Sequence, residues 1–409
     1  MSRRAILRIA FFALVLAIPV TIYYSPSTAA WTYGAVAFLA PLWLPALLLW
    51  VAVPLWLNFL RSRFLFTIPY SIIELKPGEE TPQAARAMEL TLYSLYHREE
   101  VRPVDMLFRG KMRVPWAFEL YAHAGGVRFF VFLPTAHRAS VEARLRAEYR
   151  DIDIDEVRDY SREIHFSPFS MRLAMREYAL LKPDPYPLKT YVGEEKATQK
   201  KDGFNELLQD LTQISEHEHL FVSWIIRSHQ RERESFFGAE KVDALHEAAR
   251  EEITHLVGHK GDMRAVPDAT KRVVAAIEGA LKKPSFDCGV RALYIADRAH
   301  FQEDRAEKLD GLLARFNDQE LNSFMAYDPR DQISWPLSEF FMAAPVLAME
   351  YFLQLYRRRA FFTPPYYGRA FVLNTEELAT VYHMPHITRQ SALAGMRGLK
   401  LEPPENLPV

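Results

Sequence analysis

Two long apolar runs dominate the start of the hydrophobic and polar pattern. Residues 5–24 carry one charge, Arg8, and residues 31–60 carry none. A bilayer core takes about 20 apolar residues at ~1.5 Å each, so the pattern predicts two spans joined by the polar link Ser25-Pro26-Ser27-Thr28. The second run exceeds one span; it must tilt, kink at Pro41, Pro45 or Pro54, or extend past the lipid. Trp31, Trp43, Trp50 and Trp56 suit membrane interfaces. Arg3, Arg4 and Arg8 precede the first run, Arg61 and Arg63 follow the second, and the link has no cation. The positive-inside rule then predicts a multi-pass inner-membrane protein with both termini, and the rest of the chain, in the cytoplasm. The alternative is a cleaved signal peptide ending near Thr28-Ala29-Ala30, which leaves the second run as the anchor and the bulk on the same side.

Beyond residue 66 the period changes. Residues 71–75 read as a strand. A helix follows, with Thr81 as N-cap, Pro82 at N1, and Met88, Leu92, Leu95 and Tyr96 on one face. Residues 116–123 alternate with Phe118, Leu120 and Ala122 on one side, turn at Gly125-Gly126 and return over 127–133 with Val127, Phe129, Val131 and Leu133 on one side. A charged helix over 140–150 and an edge strand through Ile152, Ile154 and Val157 complete a β-α-β-β-α-β order.

The order recurs: a strand over 175–181, a helix over 202–215, strands over 220–226 and 290–295, a helix over 303–316 and a strand over 321–326. Each second helix closes on Leu, an aromatic residue and Asp at equal spacing (Leu145, Tyr149, Asp151; Leu312, Phe316, Asp318). Charged helices over 232–257 and 268–281 interrupt the second unit's hairpin. An aromatic amphipathic helix over 338–357, broken by Pro345 and ending in Arg357-Arg358-Arg359, fits the domain surface or a lipid headgroup layer. The predicted class is α+β: a transmembrane hairpin over 1–66, ferredoxin-like domains over 67–160 and 161–330 with a helical insertion at about 229–284, and a C-terminal helix and strand-helix segment over 331–409.

Composition changes this picture little. With 50 basic and 51 acidic residues, the chain favours neither an anionic nor a cationic partner. Its one cysteine, Cys288, excludes an intrachain disulfide. Walker A, G-x-G-x-x-G, G-x-S-x-G, H-E-x-x-H and EF-hand motifs are absent, so no catalytic residue, cofactor or metal is assigned. His255 and His259 sit one turn apart but lack a third ligand at fixed spacing, His217 and His219 read as a strand entrance, and Asp151, Asp153, Asp155 and Glu156 read as a charged strand edge.

The C-terminal stretch Phe371-Val372-Leu373-Asn374-Thr375-Glu376-Glu377-Leu378-Ala379-Thr380-Val381-Tyr382-His383-Met384-Pro385 reads as a strand and a capped helix, followed by Pro403, Pro404 and Pro408. It resembles the segment ahead of the nucleotide-binding core in membrane-anchored ATPases related to conjugative coupling proteins, the HerA/FtsK-like pumps of type IV secretion-like systems. The paired N-terminal runs, residues 129–133 and residues 290–296 are similar too. The chain ends at Leu407-Pro408-Val409, where that family's ATPase core begins, and no P-loop is present to carry over. The resemblance implies a non-enzymatic, membrane-anchored platform for a separately encoded hexameric P-loop ATPase, itself a homo-oligomer, with nucleic acid involved only indirectly. Asn374, Glu376, Glu377, Leu378, Tyr382, His383 and Pro385 are its expected docking residues. The rival expectation is a general membrane scaffold that self-associates through its α+β domains and helical arm.

Overall fold

The computed structural model describes residues 26–78, 84–96, 101–149, 151–192, 202–229, 243–258, 266–332, 344–363 and 366–385. The chain divides into two compact units, 1–60 and 61–409.

Running from the first unit past its boundary at residue 60, α1 (Pro26–Thr67) is one helix of 42 residues with Pro41, Pro45 and Pro54 inside it. This corrects the expected turn: Pro26, Ser27 and Thr28 of the polar link already belong to the helix. Pro26 opens it, where the absent N–H costs nothing. The run over 5–24, and with it the expected hairpin, lies outside the described residues. Among the described residues, one segment, Ala37–Thr67, is long and apolar enough to cross a bilayer, and its apolar window has no buried residue. Phe38, Leu42, Trp50 and Leu55 are all more than 60 % exposed.

The second unit is built on the elements β1 (Tyr70–Lys76), α2 (Ala84–Leu95), α3 (Pro103–Arg109), β2 (Trp116–His123), β3 (Gly126–Pro134), α4 (Arg138–Glu148) and β4 (Asp153–Val157). Next come β5 (Met171–Leu180), α5 (Gly203–Leu211), β6 (Glu218–Ser228), α6 (Ala244–Val257), α7 (Asp268–Leu281), β7 (Ser285–Asp297), α8 (Glu303–Lys308) and β8 (Phe324–Tyr327). The chain closes through α9 (Pro345–Arg357), the short ribbon β9 (Phe362–Thr363) and β10 (Tyr366–Tyr367), β11 (Phe371–Asn374) and α10 (Thr375–Val381). Nine strands form one antiparallel sheet in the order β4-β1-β3-β2-β6-β7-β5-β8, with β11 also paired to β7.

The two β-α-β-β-α-β stretches therefore share one sheet. They join where β2 pairs with β6, from Trp116 opposite Ile226 to His123 opposite His219. Strand β7 is long enough to bond β6 along its length while meeting β11 over 285–288 and β5 over 290–297 on its other edge. Gly289 falls at that changeover. A Cβ there would sit 2.2 Å from the Phe361 ring, which explains why glycine occupies a central strand.

Alternation along the strands builds two different faces. Phe118, Leu120, Phe129, Val131, Val222, Trp224, Val290 and Tyr294 join Met88, Leu92, Leu145, Phe204, Leu207 and Leu378 in one core under the helices. The opposite face packs Tyr121, Phe130, Phe221, Leu293 and Ile295 against Phe352, Leu355 and Tyr356 of α9. Proline at residue 345 begins α9 rather than interrupting it, because it stands at the first helical position. The helix expected over 303–316 is α8 followed by two 3-10 turns. The N-cap expected at Thr81 lies outside the described residues. Helices α6 and α7 lie between β6 and β7, as the charged interruption predicts, and pack through Ala249, Val273 and Ile277; the arm's residues 230–242 and 259–265 lie outside the described residues.

The α9 face also carries buried charge. Arg291 on β7 donates to Glu177 on β5 at 2.9 and 2.5 Å and to the Ala360 carbonyl at 3.0 Å. Tyr327 and Tyr366 donate to the other Glu177 oxygen at 2.8 and 2.6 Å. Arg359 reaches both Glu119 and Asp159 and lies over the Phe132 ring. Tyr160 donates to Glu119 at 2.9 Å and meets the Tyr356 hydroxyl. These contacts fasten α9 and the segment after it to both halves of the sheet.

At the start of β7, Asp287 accepts from Arg113 and Arg227 at 2.9 Å each and pairs with His229 at 2.5 Å. Burial alone would raise its carboxyl. His229, Arg113 and Arg227 outweigh that and lower it from 3.8 to about 2. A depressed carboxyl stabilises the fold above the unfolded value and loses that contribution as pH falls from about 4 toward 2. Asp287→Asn is therefore expected to cost at most about 2 kcal/mol at pH 7, since burial and Arg113 also pull Arg227 below its ordinary value. Urea midpoints of the two proteins should converge on acidification from pH 6 to pH 3; a gap that stays constant would refute the assignment.

Candidate functional site at the histidine-lined end of the sheet

Where β2 ends and β6 begins, the two halves of the sheet meet in an open cleft of about 780 Å³. Its shape follows from a tight turn. Ala124 and Gly125 have φ of 50° and 77°, as a two-residue hairpin turn requires. Their N–H groups donate to the Ser215 and Ile214 carbonyls at 3.2 and 2.8 Å. This sets His123 directly opposite His219, and the two imidazoles stack at 4.4 Å.

The Tyr121 hydroxyl lies 2.9 Å from His219 Nδ1, and His123 Nδ1 lies 3.0 Å from the Glu218 carbonyl. Burial, then the neighbouring His123, pulls His219 down to about 4, while burial pushes Tyr121 up to about 12. At neutral pH the pair is thus a neutral imidazole hydrogen-bonded to a neutral phenol. Arg128 stands on the cleft's other side, held by Glu74 at 2.7 and 3.0 Å. Glu163, His165, Ser170 and Asp297 complete the polar lining.

Outside the cleft, sharing Asp297 with it, His217, Asp297 and His300 place one donor atom each within 4.8 Å of the others. His217 Nδ1 is 3.7 Å from Asp297 Oδ2, and the His217 and His300 rings stack at 4.0 Å. Backbone bonds hold the arrangement: Asp297 N–H donates to the His217 carbonyl at 3.3 Å and His300 N–H to the Asp297 carbonyl at 2.9 Å. Among the described residues this is the group whose donor set and spacing could hold a metal.

The other sequence candidates fall elsewhere. His255 is exposed on α6, and His259 lies outside the described residues. Asp153 and Asp155 pair with Lys76, and Glu156 with Arg138, so the acidic edge strand is neutralised by its neighbours. His217 and His219 do stand at a strand entrance. Sequence reading missed their partners His123, Asp297 and His300, which arrive from other strands; the D-x-x-H turn at the end of β7 was the one local signal.

The expected docking residues are mostly interior. Asn374 caps α10 by accepting from the Glu376 and Glu377 N–H groups, and Glu377 returns the bond to the Asn374 N–H, a capping box. Glu377 also accepts from the Leu188 N–H at 2.7 Å, and burial pushes it up to about 7. Leu378 and Tyr382 lie in the main core; the His383 ring packs on Phe204 with Nε2 3.2 Å from Asp202. Pro385 is buried as well. Glu376 is partly exposed and pairs with Lys283. The segment closes the chain's own core: Asn374, Glu377, Leu378, Tyr382, His383 and Pro385 are buried, and of the seven residues Glu376 is the partly exposed one.

A search of curated proteins finds no match to the chain. The model of one domain family, a domain of unknown function designated DUF8128, matches residues 69–392. The match begins at the threshold of β1 and covers the whole sheet, its helices and the capped segment after β11, so this chain belongs to the DUF8128 family.

Proposed function

We propose that the chain is a non-enzymatic, membrane-anchored platform, a component of a conjugation or type IV secretion-like apparatus that holds a separate hexameric P-loop ATPase at the inner membrane. The observation that carries the anchoring is Ala37–Thr67, 31 residues whose exposed apolar side chains need lipid rather than water. Arg61 and Arg63 near its end favour a cytoplasmic location for the sheet unit. With the apolar run over 5–24 as a second span, both termini lie on that side.

The platform itself reads as two ferredoxin-like units. Numbered within each stretch, both sets of four strands take the order 4-1-3-2, all antiparallel, and the two units abut through their second strands. The ATPase partner rests on the resemblance of residues 371–385 to the region ahead of a coupling-protein-like core. Since that segment is buried, this reading looks to other surfaces of the sheet unit for the partner contacts.

The general scaffold reading draws on the helical arm. Glu247, Arg250, Glu251 and His255 form an exposed polar stripe on α6, available to a second copy. Purification of the full chain in mild detergent from its native host distinguishes the two. A P-loop ATPase recovered in fixed ratio, read by mass spectrometry, is the expected result. A large homo-oligomer without one, dispersed by charge reversal at Glu247 and Glu251, would replace the platform by the scaffold.

A further inference from the structure

We propose that His217, Asp297 and His300 form a binding site for a divalent transition metal of the zinc class. Two imidazoles and one carboxylate are the donor set such ions take in three-ligand sites, with a fourth position left to water. Nitrogen donors favour zinc, cobalt, nickel or copper over magnesium and calcium.

The geometry is close to what binding needs. Donors about 2.0–2.1 Å from a tetrahedral ion lie roughly 3.3–3.5 Å from one another. His217 Nδ1 and Asp297 Oδ2 already stand at 3.7 Å, and all three donors fall within 4.8 Å. Small side-chain rotations close the gap, and the backbone need not move. The His217 strand entrance and the turn at the end of β7 are bonded to each other, and the Arg298 N–H ties that turn to the Ser170 carbonyl at 2.8 Å.

The surroundings fit a cation. His217 turns its other nitrogen, Nε2, toward Glu216 at 3.7 Å. At that distance the carboxylate adds negative charge behind the imidazole without hydrogen-bonding to it. The nearby cation, Arg298, is engaged by the Pro168 carbonyl at 2.9 Å. The His217 and His300 rings lie against each other at 4.0 Å. Because Asp297 also lines the cleft, the bound ion would sit at the cleft's rim, and it would tie the loop before β6 to the turn after β7.

The test is a calorimetric titration of the full chain in nanodiscs with zinc chloride, without and with millimolar magnesium. One equivalent is expected to bind, insensitive to magnesium and reversed by EDTA. His300→Ala and Asp297→Asn are each expected to weaken binding at least about tenfold, with His255→Ala unchanged. All three positions are exposed or half-exposed, and an unchanged melting temperature in EDTA shows that each variant folds. His217→Gln is the second variant should His300→Ala lower it. Zinc K-edge absorption should report two imidazole ligands. Absence of binding, or binding that survives loss of His217 and His300, overturns the proposal.

Discussion

Arg291→Met is expected to lower the stability of the sheet unit by about 3–5 kcal/mol, the usual cost of removing one member of a buried ion pair. Both Arg291 and Glu177 have fully buried side chains. Without the guanidinium, the Glu177 carboxylate keeps, among the described residues, the Tyr327 and Tyr366 hydroxyls, in a setting where an uncompensated charge is costly. The Phe361 and Tyr366 rings cover Arg291 and lose their cation as well. Methionine fills much of the volume, so the loss reports charge more than cavity. The double variant Arg291→Met with Glu177→Leu should recover part of it, since burying neither charge costs less than burying one. Urea denaturation followed by tryptophan fluorescence gives the cycle, with Trp224 buried in the core as reporter. Losses that simply add would show that the pair makes no joint contribution.

Removal of residues 1–67 is expected to move the protein from the membrane fraction to the soluble one, with a cooperative melt retained. The cut falls at the end of α1, ahead of β1, and residues 61–409 form their own compact unit. The full chain should stay in the pellet through alkaline carbonate washing, because a helix of about 20 apolar residues inserts in effect irreversibly. Leu48→Arg, in the middle of the apolar segment, should weaken insertion by about 2.5–3.5 kcal/mol and give a partial version of the same shift. A truncated protein that remained in the pellet would place the membrane attachment on the sheet unit instead.

How far these expectations could be reached from residues alone differs by element. The hairpin through Phe118–Ala122 and Phe129–Leu133 was legible because alternation over a half-turned sheet is a local property, and the same residues line the core. The helix faces Met88–Leu92–Leu95 and Phe204–Leu207–Leu211 were legible for the same reason at the helical period. The capped helix after Asn374 carries its start signal in three adjacent residues. Pro345 misled, because proline ends a helix or begins one and only the preceding chain decides which. The polar link misled similarly: Pro26, Ser27 and Thr28 lie inside a helix, because short polar residues do not by themselves stop one.

By itself, then, the chain's sequence determined the long apolar helix near the N-terminus, the repeated β-α-β-β-α-β order, the helical interruption between β6 and β7 and a helix cap at Asn374 or Thr375, all set by contacts within a few residues. Only the tertiary structure decided that both stretches share one sheet, since strand order depends on which edges meet. It also decided that residues 374–385 close the core rather than face outward, because burial depends on what packs above them. The meeting of His123 with His219, and of His217 with Asp297 and His300, belongs to the same class: each is a product of strand register between segments far apart along the chain.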